Sequence, residues 1–292
     1  MSTTPKFEKN NHHFIPRFWL RGFADANGGI WKRQGCKVSQ TGAGSVMSGN
    51  WLYTIFNDRW EPSDALEDAL SIHEGHAAKV FEVLRKPQAL LNQDEWELLL
   101  VFLGVSASRH PQAMARGIVL AHELANAIAD VHNYCDEADF CDTLNGVLGA
   151  DMPPGSYDAL KALSPEDLGR EAAEIAGLSP QDVRLPEQES ILAAPMIANV
   201  IASMDLEILD APGGASFVLS DCPLPLKDLG NGFSVPLSSK VALSATAPSA
   251  LPYQGRRPAL AIEVDAVNAE QVSRVQTTVI SADRALLEAL II

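Results

Sequence analysis

The sequence predicts an α+β fold: a predominantly helical body with a small antiparallel β region formed by C-terminal and N-terminal strands. Three observations carry this expectation. Apolar residues recur at helical spacing over about 62–204. Short β-like runs separated by Gly and Pro follow over about 205–280. A Gly-rich, β-leaning segment, 11–56, precedes both. The 292 residues are 47% hydrophobic and 20% charged, which suits one packed unit, 1–292, rather than a disordered chain. No internal repeat or low-complexity tract divides it.

In chain order, residues 1–12 read as mobile. Pro16 then suits the first turn of a short helix and Gly22 its end, with Phe14, Ile15, Phe18, Trp19 and Phe23 as its apolar face and Arg17 and Arg21 on the other side. Gly29–Lys32, Gly42–Ser45 and Trp51–Tyr53 read as short strands with turns. Ser63 is a good N-cap for a helix through Leu66, Leu70, Ala77, Val80, Phe81 and Leu84. Asn92 caps a second helix, 93 to about 109. Its run Leu98–Leu103 is apolar nearly all round, which marks it as the central buried helix. Pro111 ends it and starts a third, to about His132. The acidic segment 136–190 reads as shorter helices and loops, and a further helix runs from about Glu187 to Met204. The runs 206–209, 216–219, 233–235, 241–243 and 260–263 read as strands. A helix over about 268–275, a short run 277–280 and a terminal helix from Asp283 complete the chain.

Composition narrows the function classes. The net charge of −15 argues against nucleic-acid binding over the whole surface. Residues 1–37 nevertheless carry seven Lys/Arg against two acids, a net of +5, so the other 255 residues carry −20. A basic end on an acidic body either docks on that body or binds an anion, a small molecule or a nucleic acid. The acidic body in turn suits a basic protein partner. Apolar runs are too short for a membrane span, and the N-terminus lacks the apolar core of a signal peptide, so the expectation is a cytoplasmic protein without a membrane partner. Cys36, Cys135, Cys141 and Cys222 match no zinc or redox spacing and read as reduced, partly buried thiols.

Three constellations could carry chemistry. In Asn11–Phe23, two histidines offer a base, a metal ligand or cationic contacts, and Arg17 and Arg21, one turn apart, could clamp a phosphate or carboxylate. The alternative is that the histidines cap the helix and the arginines pair with acids of the body. Arg109 ends the most apolar helix, where a guanidinium needs either a structural ion pair or an anionic ligand. In Phe217–Pro223 an apolar strand runs into Ser220 and Asp221, where a carboxylate could hold a metal or act as a base, or could fix an Asx-type turn. Weaker patterns fail on inspection. His122-Glu123 lacks the second His of a zinc-protease helix, since position 126 is Asn. His73 and His76, beside Glu74 and Lys79, read as a solvated helix face. Gly42–Ser45 lacks the lysine of a P-loop.

The segment His13-Phe14-Ile15-Pro16 with Leu20 and Phe23 resembles the opening motif of the bacterial domain of unknown function 4238. Trp51–Thr54, Leu66-Glu67, Glu74–Ala77, Arg109-His110-Pro111, Phe217–Pro223 and Val235–Ser238 with Asn268 resemble later motifs of that family in the same order. The resemblance implies a convergent set: His13, Arg109, Ser220, Asp221 and Asn268. It implies no activity. Cys222 stands where many members carry Asn, which counts against a required thiol nucleophile. Joined to the chemistry above, the expectation is a hydrolase for a phosphodiester or nucleotide-type anion. His13, Asp221 and Arg109 would be catalytic, and Arg17, Arg21, Ser220 and Asn268 would contact substrate. A divalent metal would be held, if at all, by His13 and Asp221. The alternative is a non-catalytic binding module, such as an antidote, immunity or regulatory protein.

Overall fold

A computed structural model of the protein describes residues 11–56, 62–148, 152–178, 190–247 and 253–290. Of the segment expected to be mobile, 1–12, residues 1–10 lie outside them, as does the start of the predicted helix at 187–189, whereas Asn11 and His12 are held in a strand and His12 is fully buried. In the N-terminal part lie β1 (Asn11–His13), α1 (Arg17–Leu20), β2 (Ile30–Gln34), β3 (Lys37–Thr41), β4 (Ser48–Asn50), β5 (Ile55–Phe56) and β6 (Pro62–Ser63). The helical body contains α2 (Ala65–Leu84), α3 (Gln93–Ser108), α4 (Pro111–Ala129), α5 (Glu137–Leu148), α6 (Ser156–Lys161), α7 (Pro165–Ile175) and α8 (Ala194–Ala202). The C-terminal part contains β7 (Asp205–Asp210), β8 (Leu219–Ser220), β9 (Phe233–Pro236), β10 (Val241–Thr246), β11 (Gln254–Pro258), α9 (Ala261–Ser273), β12 (Val279–Ser281) and α10 (Arg284–Ala289). The class is α+β. Among the described residues no helix is long and apolar enough to cross a membrane.

The central helix is α3. Asn92 and Glu95 close a capping box at its start, each side chain bonding the other's backbone N–H at 3.0 and 2.8 Å. Leu99, Leu100, Phe102 and Leu103 are buried against Trp19 and Phe23 from the N-terminal turn, Phe81 and Leu84 of α2, and Ile208, Val235 and Leu243 of the sheet. One position of the apolar run escapes burial, since Val101 is 43% exposed. Gly104 allows α8 to cross closely: a Cβ there would lie 2.3 Å from the Ala194 carbonyl. A second core, formed by Leu124 and Ile128 of α4 with Phe140, Leu144, Leu160 and Leu168, holds the helices α4–α7 together.

Of two four-stranded sheets, one joins the ends of the chain. It runs β3-β2-β12-β8 and is antiparallel throughout, so N-terminal and C-terminal strands share it. The other runs β11-β7-β10-β9, and in it β11 lies parallel to β7, which departs from the all-antiparallel expectation.

Several local expectations differ from the structure. The run 260–263 is not a strand. It opens α9, because Glu263 reaches back to the Leu260 N–H at 2.7 Å, while Leu260 and Ile262 stay 63% and 74% exposed. Ala43–Ser45 forms a single 3-10 turn and 51–53 a turn, not strands. The helix predicted from Ser63 begins at Ala65, with Ser63 Oγ accepting the Ala65 N–H at 3.3 Å. Of the run 216–219 only its end enters a ladder, for a reason given by α9 below.

Candidate functional site

The α3–α4 junction separates two polar clusters. Arg109, the C-cap of α3, points into one, and the next residue, His110, points into the other.

His110 is the N-cap of α4. Its Nδ1 accepts the Gln112 N–H at 3.2 Å, which leaves Nε2–H to donate to the Asp221 carbonyl at 2.8 Å. Burial first, against that carbonyl, lowers its pKa. The Asp221 carboxylate does not face Arg109. Oδ1 accepts the Gln276 N–H at 2.9 Å, and Oδ2 accepts the Thr277 N–H, the Thr277 hydroxyl and the Thr278 N–H at 2.8, 2.6 and 3.0 Å. Four donors on one buried carboxylate clamp the turn that feeds β12, a long-range structural role rather than the local Asx-type turn expected as the alternative.

Ser220 and Asn268 lie in the same clasp. Along α9, Asn268, Gln271 and Arg274 recur every three residues and act as a surrogate strand for 216–223. Asn268 accepts the Val218 N–H at 2.9 Å and donates to the Ser216 carbonyl at 3.0 Å. Gln271 accepts from the Ser220 N–H and hydroxyl and donates to the Pro223 and Ser234 carbonyls. Arg274, its pKa lowered to about 10 by burial, donates to the same two carbonyls. Helix side chains therefore satisfy backbone groups that a ladder would otherwise take, which keeps the strand short. Cys222, in this wall, is buried and its pKa is pushed up to about 11 by burial and then by Asp221, so it remains a protonated thiol at neutral pH.

The other cluster gathers around Arg109, which is 1% exposed. Its Nη1 donates to Glu74 of α2 at 2.6 Å. The guanidinium carbon lies 6.0 Å from the Tyr53 ring centroid, and the Tyr53 hydroxyl donates to the Arg109 carbonyl at 3.2 Å. Burial raises the Tyr53 pKa further above its ordinary value, so this hydroxyl keeps its proton. Neither Nε nor Nη2 of Arg109 has a hydrogen-bond partner among the described residues. These two nitrogens form the side-on edge of the guanidinium, the edge that grips two oxygens of one phosphate or carboxylate. Nε2 of His13, Nε2 of His73 and Oγ of Ser106 are buried and equally without a partner among the described residues.

The two histidines differ in their surroundings. His13 has its pKa lowered by burial first, then by the positive charges of Arg17 and Arg109, against the backbone of Ala43 and Gly44. Contact with those backbone groups through Nδ1–H leaves Nε2 as a lone-pair acceptor. His73 has its pKa lowered by burial first and then by Arg109, while Glu74 acts to raise it. Its ring stacks on Phe102. His12 is fully buried. Its Nδ1 accepts the Tyr53 N–H at 2.8 Å and its ring lies parallel to the Tyr53 ring, so it sets the position of Tyr53. Met47 and Trp51, both at positive φ, bracket β4 and turn the chain back toward β1. Arg17 is exposed, with its guanidinium beside Gly44, and Arg21 is exposed at the start of the 3-10 turn that follows α1.

The structure thus brings His13, Arg17 and Arg109 together and directs Asp221, Ser220 and Asn268 elsewhere. Among the described residues no three His, Cys, Asp or Glu side chains gather to hold a metal ion, and His13 and Asp221 share no site. His73, Glu74, Tyr53 and Ser106 were not anticipated. A signal for His73 was present: Leu66, Leu70, His73, Ala77, Val80 and Leu84 follow the 4-3-4-3-4 spacing of one buried helix face. No curated protein and no solved structure matches the chain. A family model described as a protein of unknown function, DUF4238, matches residues 11–285, and the chain belongs to that family.

Proposed function

We propose that the protein hydrolyses a phosphodiester of nucleotide type at the Arg109 cluster. The observation that carries this reading is the buried side-on edge of Arg109, unmet by any described residue and flanked by histidines whose Nε2 atoms are also unmet. Leaving such donors dry and unpaired costs about 1–3 kcal/mol each, and an anion seated on them removes that cost. Arg17, on the exposed rim, adds a second positive charge.

Acid and base roles follow from environment. His13, its pKa lowered by burial and by the cations Arg17 and Arg109, is the neutral base: its Nε2 takes a proton from water as the water oxygen bonds phosphorus. His73 has Glu74 beside it and is the acid: the substrate's negative charge adds to that of Glu74 against both burial and Arg109, so His73 takes up a proton and gives it to the leaving ester oxygen as the P–O bond breaks. Arg109 holds the charge on the phosphoryl oxygens. A mononucleotide-sized substrate fits better than a polymer, because the basic patch is small and the remaining surface strongly acidic.

Turnover of bis(p-nitrophenyl) phosphate and of 2′,3′-cyclic nucleotides tests the reading. Wild type shows a bell-shaped pH profile. His13→Ala loses the acidic limb and His73→Ala the alkaline limb, each with kcat lower by about 10²–10⁴-fold. Arg109→Lys lowers kcat/KM by at least about 10²-fold. Wild type without turnover, or a His13→Ala variant as active as wild type, refutes the proposal.

A further inference from the structure

A cavity lies between the two hydrophobic cores. It measures about 590 Å³ and opens between the end of α3 at Ala107, the face of α4 through Ala113, Gly117 and Leu120, and the loop 225–229. Its size lies within the roughly 300–1,000 Å³ typical of small-molecule sites, and its lining is largely apolar. Arg116 and Lys227 interrupt that lining at one end. Arg116 donates from Nη1 to the Leu226 carbonyl at 2.8 Å, which fixes the guanidinium against the loop. In a chain with 37 acidic residues, neither Arg116 nor Lys227 forms an ion pair among the described residues, although Asp228 is next in sequence and also lines the cavity.

We propose that this cavity binds an amphipathic carboxylate, with its apolar chain on α4 and its anionic head at Arg116 and Lys227. An apolar cavity of this size gains little from water, so an apolar body suits it better than solvent does. Two cations without acidic partners at one end supply the complement for one anionic group. A neutral apolar molecule would leave both cations unmet, and a polyanion would meet the apolar wall. The site does not depend on the Arg109 cluster: Ala107 and Ser108 line this cavity, whereas Ser106 and Arg109 do not.

The test is calorimetric titration of the full-length protein with decanoate and with decanol, alongside displacement of 1-anilinonaphthalene-8-sulfonate. Wild type binds one decanoate and binds decanol more weakly. Arg116→Leu combined with Lys227→Ala weakens decanoate about tenfold and leaves decanol unchanged. Ala113→Trp, which fills the cavity, weakens both. Arg109→Lys weakens neither, which separates this site from the catalytic proposal. Lys227→Ala alone changes only an exposed loop residue and still weakens decanoate measurably, so a misfolded double variant does not obscure the result. Wild type that binds no decanoate, or equal decanoate affinity in wild type and the double variant, overturns the proposal.

Discussion

Arg109 and His110 are neighbours in sequence, yet they enter polar clusters of opposite character. Around His110 and Asp221 the polar side chains are satisfied: Asp221 accepts four donors, and Gln271 uses both its oxygen and its nitrogen on 216–223 and β9. Around Arg109, five buried side-chain atoms on His13, His73, Ser106 and Arg109 lack partners among the described residues. Both clusters draw on residues distant in sequence and both contain charge. What separates them is completeness. A complete buried network stabilises architecture, and an incomplete one is retained against a standing free-energy cost. On the proposed reading the first serves folding and the second serves binding.

The largest effect is expected from breaking the complete cluster. Asp221→Ala strands three backbone N–H groups and a hydroxyl and should destabilise the protein by about 3–5 kcal/mol, measured by urea unfolding. A change below about 1 kcal/mol, together with lost turnover, would return Asp221 to the catalytic list. Gln271→Leu removes the link between α9 and β8 and should cost about 2–3 kcal/mol, with a matching drop in Tm. The incomplete cluster should respond in the opposite way. Arg109→Met with Glu74→Met removes an ion pair together with its unmet donors and should stay within about 1 kcal/mol of wild type, or exceed it, while abolishing turnover. A double variant that unfolds would make Arg109 a structural ion pair after all.

The smallest effect is pH dependence. His13, His73 and His110 all have pKa values lowered from 6.5, chiefly by burial. The unfolded chain therefore binds more protons than the native one below pH 6.5, so this contribution to stability is complete above that value and is lost as pH falls through the lowered values. Thermal melting between pH 7.5 and 5 should show Tm falling on the acid side, and His13→Gln with His73→Gln should flatten that slope. A phosphate ion bound at Arg109 should flatten it as well, by raising both histidine pKa values in the folded state. Tm that stays level across this range would mean that neither histidine is held neutral by the fold.

Local sequence patterns determined the elements with strong periodicity or explicit caps. The run Leu98–Leu103 and the Asn92/Glu95 pair specify α3, Pro111 separates α3 from α4, and Gly- and Pro-bounded apolar runs mark β7, β9 and β10. Residues 260–263 depart from the expected strand because four residues of mixed polarity fit a strand or a helix start equally well, and the Glu263 back-bond decides the matter. The candidate site was half legible. A charge at the end of an apolar helix drew attention to Arg109 because desolvation makes it expensive anywhere, whatever the fold. The fate of Asp221 was not legible: a carboxylate after a strand looks the same whether it meets a substrate or three backbone N–H groups, and those groups lie 55–57 residues away. Nor could local pattern show that His73, on the buried stripe of α2, meets the end of α3. Periodicity is set by neighbours along the chain, so the sequence by itself determined the long capped helices, the strands β7, β9 and β10 and the cost of burying Arg109. Which donors were met and which were left open depended on long-range packing, and only the tertiary structure decided that.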